Sequence, residues 1–304
     1  MVSIHIERYR VLPEQRRFRR IDTARLPSQT GRERRSRAVR EWVGDTSWGD
    51  DEFLFLNVME SHAPYSPPAA YRIVEVGSGF NSILAAVTDT AVETDVHRQA
   101  YHDSVRYLAD IHQDIFELLA GDFDYVFTLG DHGELLGEYG EWTHFHGPYP
   151  ELTNIPLSVY AGTDADESVD VPVSLLDVPA TVADFAGVDY PSRGVSLLSD
   201  PAGRLLLTES HRLTETVREK LRRLNIPERR RAKLDGHRRG LALPPSYYGY
   251  ETDDGFTEGG ESDTADPQSA LSTLVEDLDE RRVDEDTEGV PESVRQQLSD
   301  LGYA

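Results

Sequence analysis

Short apolar runs that alternate with helical periodicity over residues 51–210 constrain the fold of this chain more than any other feature of its sequence. Short runs of consecutive apolar residues are typical of strands that are buried on both faces of a sheet. The strand-like runs are residues 53–59, 125–129, 156–160 and 205–208, and helical spacing covers residues 94–120 and 175–185. Strands separated by helices favour an α/β fold with a mainly parallel sheet flanked by helices.

Composition divides the chain into three parts. Residues 1–50 are rich in arginine and poor in apolar periodicity, which predicts a helix or a loosely packed lead-in before the α/β domain at 51–210. The C-terminal region, 211–304, is basic at first and then dense in acidic and small polar residues over 251–288. Such a composition predicts a disordered stretch. A last short helix is predicted at 292–301.

The charge of the chain restricts its partners. It has 31 basic and 55 acidic residues and a net charge of -24, which excludes nucleic acid as the main partner because a polyanion would be repelled. Only Lys220 and Lys233 are lysines, and the other basic residues are arginines. High acidity with little lysine is typical of proteins adapted to concentrated salt, which screens the repulsion between carboxylates. We therefore expect a halophilic protein.

The absence of cysteine excludes disulfides, thiolate metal sites and thiol catalysis. No stretch of the sequence approaches the ~18 apolar residues of a membrane span. The first residues also lack the basic region and apolar run of a signal peptide. From these observations we expect a cytoplasmic protein without a membrane partner.

A glycine-flanked turn carries the first candidate site. The predicted strand at 125–129 leads into Gly130, Asp131, His132 and Gly133. Glycines permit a tight turn, and adjacent oxygen and nitrogen donors suit a divalent cation. Asp131 and His132 are therefore candidate metal ligands, and a helix cap or a local bridge is the alternative for such a pair.

Other histidines lie in turns beside the predicted strands. His62 follows the strand at 53–59, and both His144 and His146 precede the strand at 156–160. Loops that leave the strands of one sheet converge at its edge, which predicts that these histidine-bearing turns surround one anion or metal.

The order and spacing of these residues resemble the sulfatase family of the alkaline phosphatase superfamily over residues 51–210. Further stretches that resemble the family are residues 107–110, 176–181, 193–198 and 298–303. The resemblance implies an alkaline-phosphatase-like α/β fold, with this haloarchaeal-like chain as its N-terminally truncated, C-terminal portion. It also implies metal-assisted cleavage of small-molecule sulfate esters.

The resemblance implies a role for each candidate residue. Asp131 would bind the metal, and His132 would touch the metal or the sulfate. His62 would bind the sulfate and protonate the departing alcohol. His146 would also contact the sulfate, with His144 as the less favoured candidate. The implied cofactor is a divalent cation, Ca²⁺ or Mg²⁺, which neutralises oxygens of the sulfuryl group.

The resemblance also reveals a gap. Family members begin with a strand that ends in paired aspartates and continue with a Cys/Ser-x-Pro-x-Arg motif, whose first residue becomes the attacking formylglycine. This sequence has neither feature. The nearest fragment, residues 26–32, would put Arg25 at the nucleophile position, so neither Thr23 nor Ser28 is proposed and no nucleophile is assigned.

Several interpretations remain open at this point. The chain is a truncated or mis-started sulfatase, which we favour, a degenerate relative, or a partner of a separate N-terminal half. A phosphoesterase or phosphotransferase of the same superfamily, with Mn²⁺ or Zn²⁺ and a phosphate ester, is an alternative. The other alternative function is that of a catalytically inactive protein, which binds anions or a partner through His62, His132 and His146.

Overall fold

The computed structural model describes residues 5–12, 17–25, 32–75, 87, 94–162, 170–199 and 203–278. Its strands are β1 (His5–Leu12), β2 (Arg17–Arg25), β3 (Glu52–Asn57), β4 (Val126–Leu129), β5 (Leu135–Leu136), β6 (Trp142–Thr143), β7 (Leu157–Tyr160), β8 (Leu206–Ser210), β9 (Arg238–Leu243), β10 (Tyr247–Thr252) and β11 (Gly255–Gly259). Its α-helices are α1 (Arg32–Asp45), α2 (Thr94–Asp122), α3 (Pro150–Thr153), α4 (Asp177–Phe185), α5 (Glu215–Arg223), α6 (Glu228–Leu234) and α7 (Pro267–Glu276).

The strands form four sheets within this part of the chain. Their orders are β2-β1-β3, β11-β10-β9-β8, β4-β7 and β5-β6. The α/β class is confirmed, but the predicted parallel pairing is not seen, because every strand pair among the described residues is antiparallel. Alternation of strands and helices does not by itself set strand direction. β4 returns to β7 without a long crossover helix, and such a connection suits antiparallel strands.

Long helix α2 and helix α1 form a core cluster that the periodicity anticipated in part. Tyr107, Ile111 and Ile115 lie along one face of α2, and they are buried against Val39 and Val43 of α1. Their spacing of three to four residues puts them on one side of a helix. β3 and β4 add partly buried apolar residues to the same cluster. The prediction of a long helix here is confirmed.

The N-terminal expectation needs correction. The predicted helix is present as α1, but residues 5–12 and 17–25 form strands, and β1 pairs with β3 from His5↔Asn57 to Arg10↔Glu52. The many arginines of these segments led to the prediction of a solvated helix or loop. Arginine is, however, not among the residues that are depleted from strands. The β1–β3 pairing crosses the predicted boundary at residue 50, and the β8–β9 pairing crosses the one at residue 210. The domain division itself stays a prediction.

The C-terminal region is also more ordered than expected. Within the predicted disordered stretch, β10 and β11 form a hairpin and α7 follows it. Leu271 of α7 is buried against Leu241, Leu243 and Tyr247. The prediction of disorder is therefore wrong for residues 251–278, because apolar residues spaced among the acidic ones supply a core. Residues 279–288 and the predicted helix at 292–301 lie outside the described residues.

None of the helices in the described part of the chain is both long and apolar enough to cross a bilayer.

Candidate functional site

Three histidines from three separate turns lie side by side. The rings of His132 and His144 have centroids 4.0 Å apart, and those of His62 and His144 are 5.5 Å apart. His62 follows β3, His132 follows β4, and His144 follows β6. We call His62, His132 and His144 the histidine cluster. The predicted convergence of His62 and His132 is therefore seen in the structure.

The turn after β4 fixes the orientation of the His132 ring. Its backbone N–H donates to Asp131 Oδ1 at 3.0 Å, and Nδ1 lies 2.7 Å from the Gly133 carbonyl oxygen. A carbonyl only accepts, so Nδ1 carries the proton and donates it. Nε2 then holds the lone pair of the neutral ring, which is the form that a metal ligand needs.

Gly133 is required by close backbone packing. Its N–H donates to the Leu152 carbonyl at 2.9 Å. A Cβ atom at this position would lie 1.9 Å from the backbone oxygen of Glu151, a distance that real atoms do not adopt. The turn and α3 therefore approach each other only with glycine here.

We expect Gly133→Ala to lower the free energy of unfolding by about 1–3 kcal/mol, the usual range for overpacking, and to displace His132. Chemical denaturation of both proteins measures the change. Gly259→Ala is the control, because a Cβ there would meet nothing within 4 Å and Gly259 is not among the residues with positive φ. Equal losses for the two variants would contradict the packing argument.

A buried carboxylate positions His144. Glu134 Oε1 lies 3.2 Å from His144 Nδ1, and the Glu134 side chain is only 6% exposed. Glu134 immediately precedes β5 and His144 immediately follows β6, so the β5–β6 hairpin brings the two together. The Glu134 charge also adds to burial in raising the pKa of Tyr101. The geometry resembles the carboxylate–imidazole pairs that orient functional histidines.

The third ring is also held by the backbone of its own turn. His62 Nδ1 lies 2.7 Å from the Ala63 carbonyl, so this nitrogen carries the proton that it donates. The His62 backbone N–H donates to Met59 O at 3.2 Å, which closes the turn after β3. These bonds set the second ring nitrogen, Nε2, as the position at which His62 gains or loses a proton.

His146 lies in different surroundings from the histidine cluster. It is 5% exposed, whereas the side chains of His132 and His144 are 30% and 19% exposed. Its ring contact among the described residues is with Tyr149, at 6.0 Å. Burial lowers the pKa of His146 to about 4, so the ring is neutral at physiological pH. This placement favours His144 over His146 as the group that meets a sulfate.

The predicted metal ligands match a cation in kind but not in number. Asp131 Oδ1 lies 3.9 Å from His132 Nε2, and the Asp131 side chain is 72% exposed. Within the described ranges no three His, Asp or Glu side chains are placed to hold a metal ion. Ca²⁺ takes six to eight oxygen ligands and Mg²⁺ six. Asp131 and His132 therefore make part of a coordination shell.

Sequence reasoning missed Glu134 and ranked His144 below His146. The available signal was the position of Glu134 and His144 on either side of a segment that can form a hairpin, with Gly137 and Gly140 in its turn. Both glycines adopt positive φ, 105° and 71°. Recognition of that hairpin would have paired the carboxylate with the imidazole.

A comparison with protein families gives one match: the family model described as Sulfatase covers residues 36–188. These residues contain the whole histidine cluster, Asp131 and Glu134. A search of curated proteins finds no match.

Solved structures include two similar ones. One is described as BT4656 in complex with its substrate D-glucosamine-2-N,6-O-disulfate, with 17% identity over 61% of this chain and a TM-score of 0.38. The other is described as a putative sulfatase from Bacteroides thetaiotaomicron, with 15% identity over 79% of this chain and a TM-score of 0.38. The matches span 42% and 55% of those chains, so this chain corresponds to about half of each.

Proposed function

This chain belongs to the sulfatase family, and we propose that its histidine cluster is the part of a sulfatase site that binds the sulfuryl group and protonates the departing alcohol. The observation that carries the proposal is the approach of three partly exposed imidazoles from three turns, with ring centroids 4.0 and 5.5 Å apart. A sulfate ester presents several oxygens on one sulfur, and N–H donors from His62 and His144 beside a cation bound by His132 are suited to them.

Each residue of the cluster has a distinct task in this proposal. His144 acts as the imidazolium: its Nδ1–H donates to Glu134, and its Nε2–H donates to a sulfuryl oxygen. His62 donates a proton from Nε2 to the leaving oxygen, because its Nδ1 is committed to the Ala63 carbonyl. The preset ring orientations lower the cost of arranging donors during the reaction. The organic part of the ester is not assigned.

Asp131 and His132 are proposed as ligands of a divalent cation, Ca²⁺ or Mg²⁺. The His132 tautomer supports this, because the Gly133 contact puts the lone pair on Nε2. A bound cation would supply charge neutralisation for the sulfuryl oxygens. The remaining ligands and the attacking group would come from outside the histidine cluster.

The test of this function is inorganic sulfate binding, measured by calorimetry in high salt. We expect His144→Ala to weaken sulfate binding by about 1.5–3 kcal/mol, the usual value of a hydrogen bond to a charged group. His237→Ala is the matched control, because His237 pairs with Glu209 outside the cluster. Equal sulfate affinity in the wild type and His144→Ala would refute the role of the cluster.

Turnover is the second arm of this test. An aryl sulfate and an aryl phosphate are assayed with added Ca²⁺, Mg²⁺ or Mn²⁺. The proposal expects any sulfatase activity to disappear in His62→Ala and Asp131→Ala. Turnover of the phosphate ester alone would contradict it.

A further inference from the structure

The β5–β6 hairpin connects the histidine cluster to a second group of charges. Its open end carries Glu134 and His144, and its closed end carries Glu138 and Glu141. Pairing of Leu135 with Thr143 and of Leu136 with Trp142 makes it a short two-stranded unit. A two-stranded hairpin is only marginally stable alone, so its geometry depends on what holds it. The contacts of its closed end therefore bear on the site.

The hairpin is held at both α2 and α6: Arg98 of α2 donates to the Leu136 carbonyl at 2.9 Å and to Glu138 at 3.0 Å, and Glu141 binds α6. Glu141 is 2% exposed, and it accepts from Arg230 Nη1 at 2.8 Å and from Lys233 Nζ at 2.5 Å. Both cations belong to α6. Burial alone would raise the pKa of Glu141, but the hydrogen bonds from Arg230 and Lys233 outweigh burial and lower it. The ionised carboxylate thus joins the hairpin to α6.

The chain after His144 is also bound by elements from the C-terminal part of the sequence. The Gly147 N–H donates to Ser210 Oγ of β8 at 2.9 Å, and the Tyr248 hydroxyl of β10 donates to the Pro148 carbonyl at 2.8 Å. α6, β8 and β10 all follow residue 188, the end of the family match. The C-terminal elements therefore bind the chain both before His144, at Glu141, and after it, at Gly147 and Pro148.

We propose that Glu141 is a positioning residue, which together with Arg230 and Lys233 of α6 fixes the β5–β6 hairpin so that His144 stays against His132. This inference rests on the proposed function for its meaning, since His144 is the proposed sulfate ligand. Glu141 lies immediately before β6 and three residues before His144. Its effect passes through Trp142 and Thr143 of β6.

The experiment compares Glu141→Gln and Lys233→Met with the wild type. The first readout is the nuclear Overhauser contact between the carbon-bound ring protons of His132 and His144, in protein with ¹³C-labelled histidine at one fixed pH. The second is the dissociation constant for inorganic sulfate. We expect the ring contact to weaken or vanish in both variants. The dissociation constant should rise roughly tenfold or more, because a displaced His144 loses its hydrogen bond to the charged sulfate.

Arg218→Gln is the matched control. It breaks the ion pair with Asp235, at 2.8 Å, inside the C-terminal elements but away from the hairpin. We expect a lower thermal unfolding temperature with both readouts unchanged. Circular dichroism and cooperative unfolding identify folded variants. If Glu141→Gln does not fold, Lys233→Met decides, because the Lys233 side chain is 34% exposed and its loss is milder.

The outcomes separate this inference from the proposed function. An intact ring contact in folded Glu141→Gln or, failing that, in Lys233→Met overturns the positioning role. A wild type that shows the ring contact but binds no sulfate refutes the proposed function alone, and the loss of that contact in the variants still supports the positioning role. Loss of the ring contact in Arg218→Gln as well would mean that general loosening, not Glu141, is responsible, and would overturn the inference.

Discussion

Replacement of Asp177 by alanine is expected to lower the free energy of unfolding by about 3–5 kcal/mol, the usual cost of removing one partner from a buried ion pair. Asp177 is fully buried, and Arg204 donates to both of its oxygens at 3.0 and 2.6 Å. Backbone N–H groups of Ser174 and Val195 donate to the same carboxylate at 2.8 Å each. Alanine would leave the guanidinium and two backbone donors without this acceptor.

The location of Asp177 explains the size of the expected effect. Its carboxylate joins the start of α4 to the chain near Val195 and to the segment before β8. Gly194 packs so closely against this helix start that a Cβ there would lie 1.9 Å from the Leu176 carbonyl oxygen. Hydrogen bonds to the carboxylate outweigh burial and lower the pKa of Asp177, so the group stays ionised at neutral pH.

Urea denaturation monitored by circular dichroism measures this prediction. Asp184→Ala is the control, because Asp184 is an exposed carboxylate of the same helix. Its replacement should change the free energy of unfolding by no more than about 0.5 kcal/mol. A similar, small loss in both variants would show that the Asp177–Arg204 pair contributes little to the fold.

This carboxylate also illustrates what could be predicted from sequence. The stretches at 176–181 and 193–198 resembled family motifs, and the structure brings these two stretches together. The Val195 N–H donates a hydrogen bond to Asp177 Oδ1. The partner Arg204 could not be predicted, because nothing in the local sequence links residue 177 to residue 204. The strands at β3, β4, β7 and β8 and helices α2 and α4 were predicted, since their signal is short-range periodicity.

The errors at the two ends of the chain have a common cause. Residues 5–12, 17–25 and 251–276 are so rich in charge that composition indicated a loose or disordered chain. Their order depends on long-range pairing, of β1 with β3 and of α7 with the sheet of β9 and β10. Composition reports the average polarity of a segment, whereas a few apolar residues at the right spacing suffice to attach it to a core.

The residues of the candidate site were also predicted only in part. His62 and His132 were predicted because each follows a recognisable strand. The choice between His144 and His146 could not be made from spacing, because residues two positions apart are equivalent in the alternation of side chains along a strand. Glu134 became visible only through the β5–β6 pairing.

The buried position of His146 predicts a dependence of stability on pH. Burial lowers its folded-state pKa to about 4; the nearby charge of Glu141 opposes this shift, and those of Arg238, Arg230 and Lys233 add to it. The unfolded chain binds the proton near the ordinary value of 6.5. Because the unfolded state takes up the proton first as the pH falls, this contribution to stability is complete above about 6.5 and is lost towards about 4.

The expected loss between about pH 7 and pH 4 is about 3 kcal/mol, since each pKa unit corresponds to about 1.4 kcal/mol. Many carboxylates titrate in the same range, so the measured quantity is the difference in pH dependence between the wild type and His146→Gln, from urea denaturation at both pH values. His146→Gln should lose about 3 kcal/mol less than the wild type on acidification. If His146→Gln and the wild type show the same pH dependence, the His146 ring binds its proton at the same pH in the folded and the unfolded chain, and the lowered pKa of His146 is wrong.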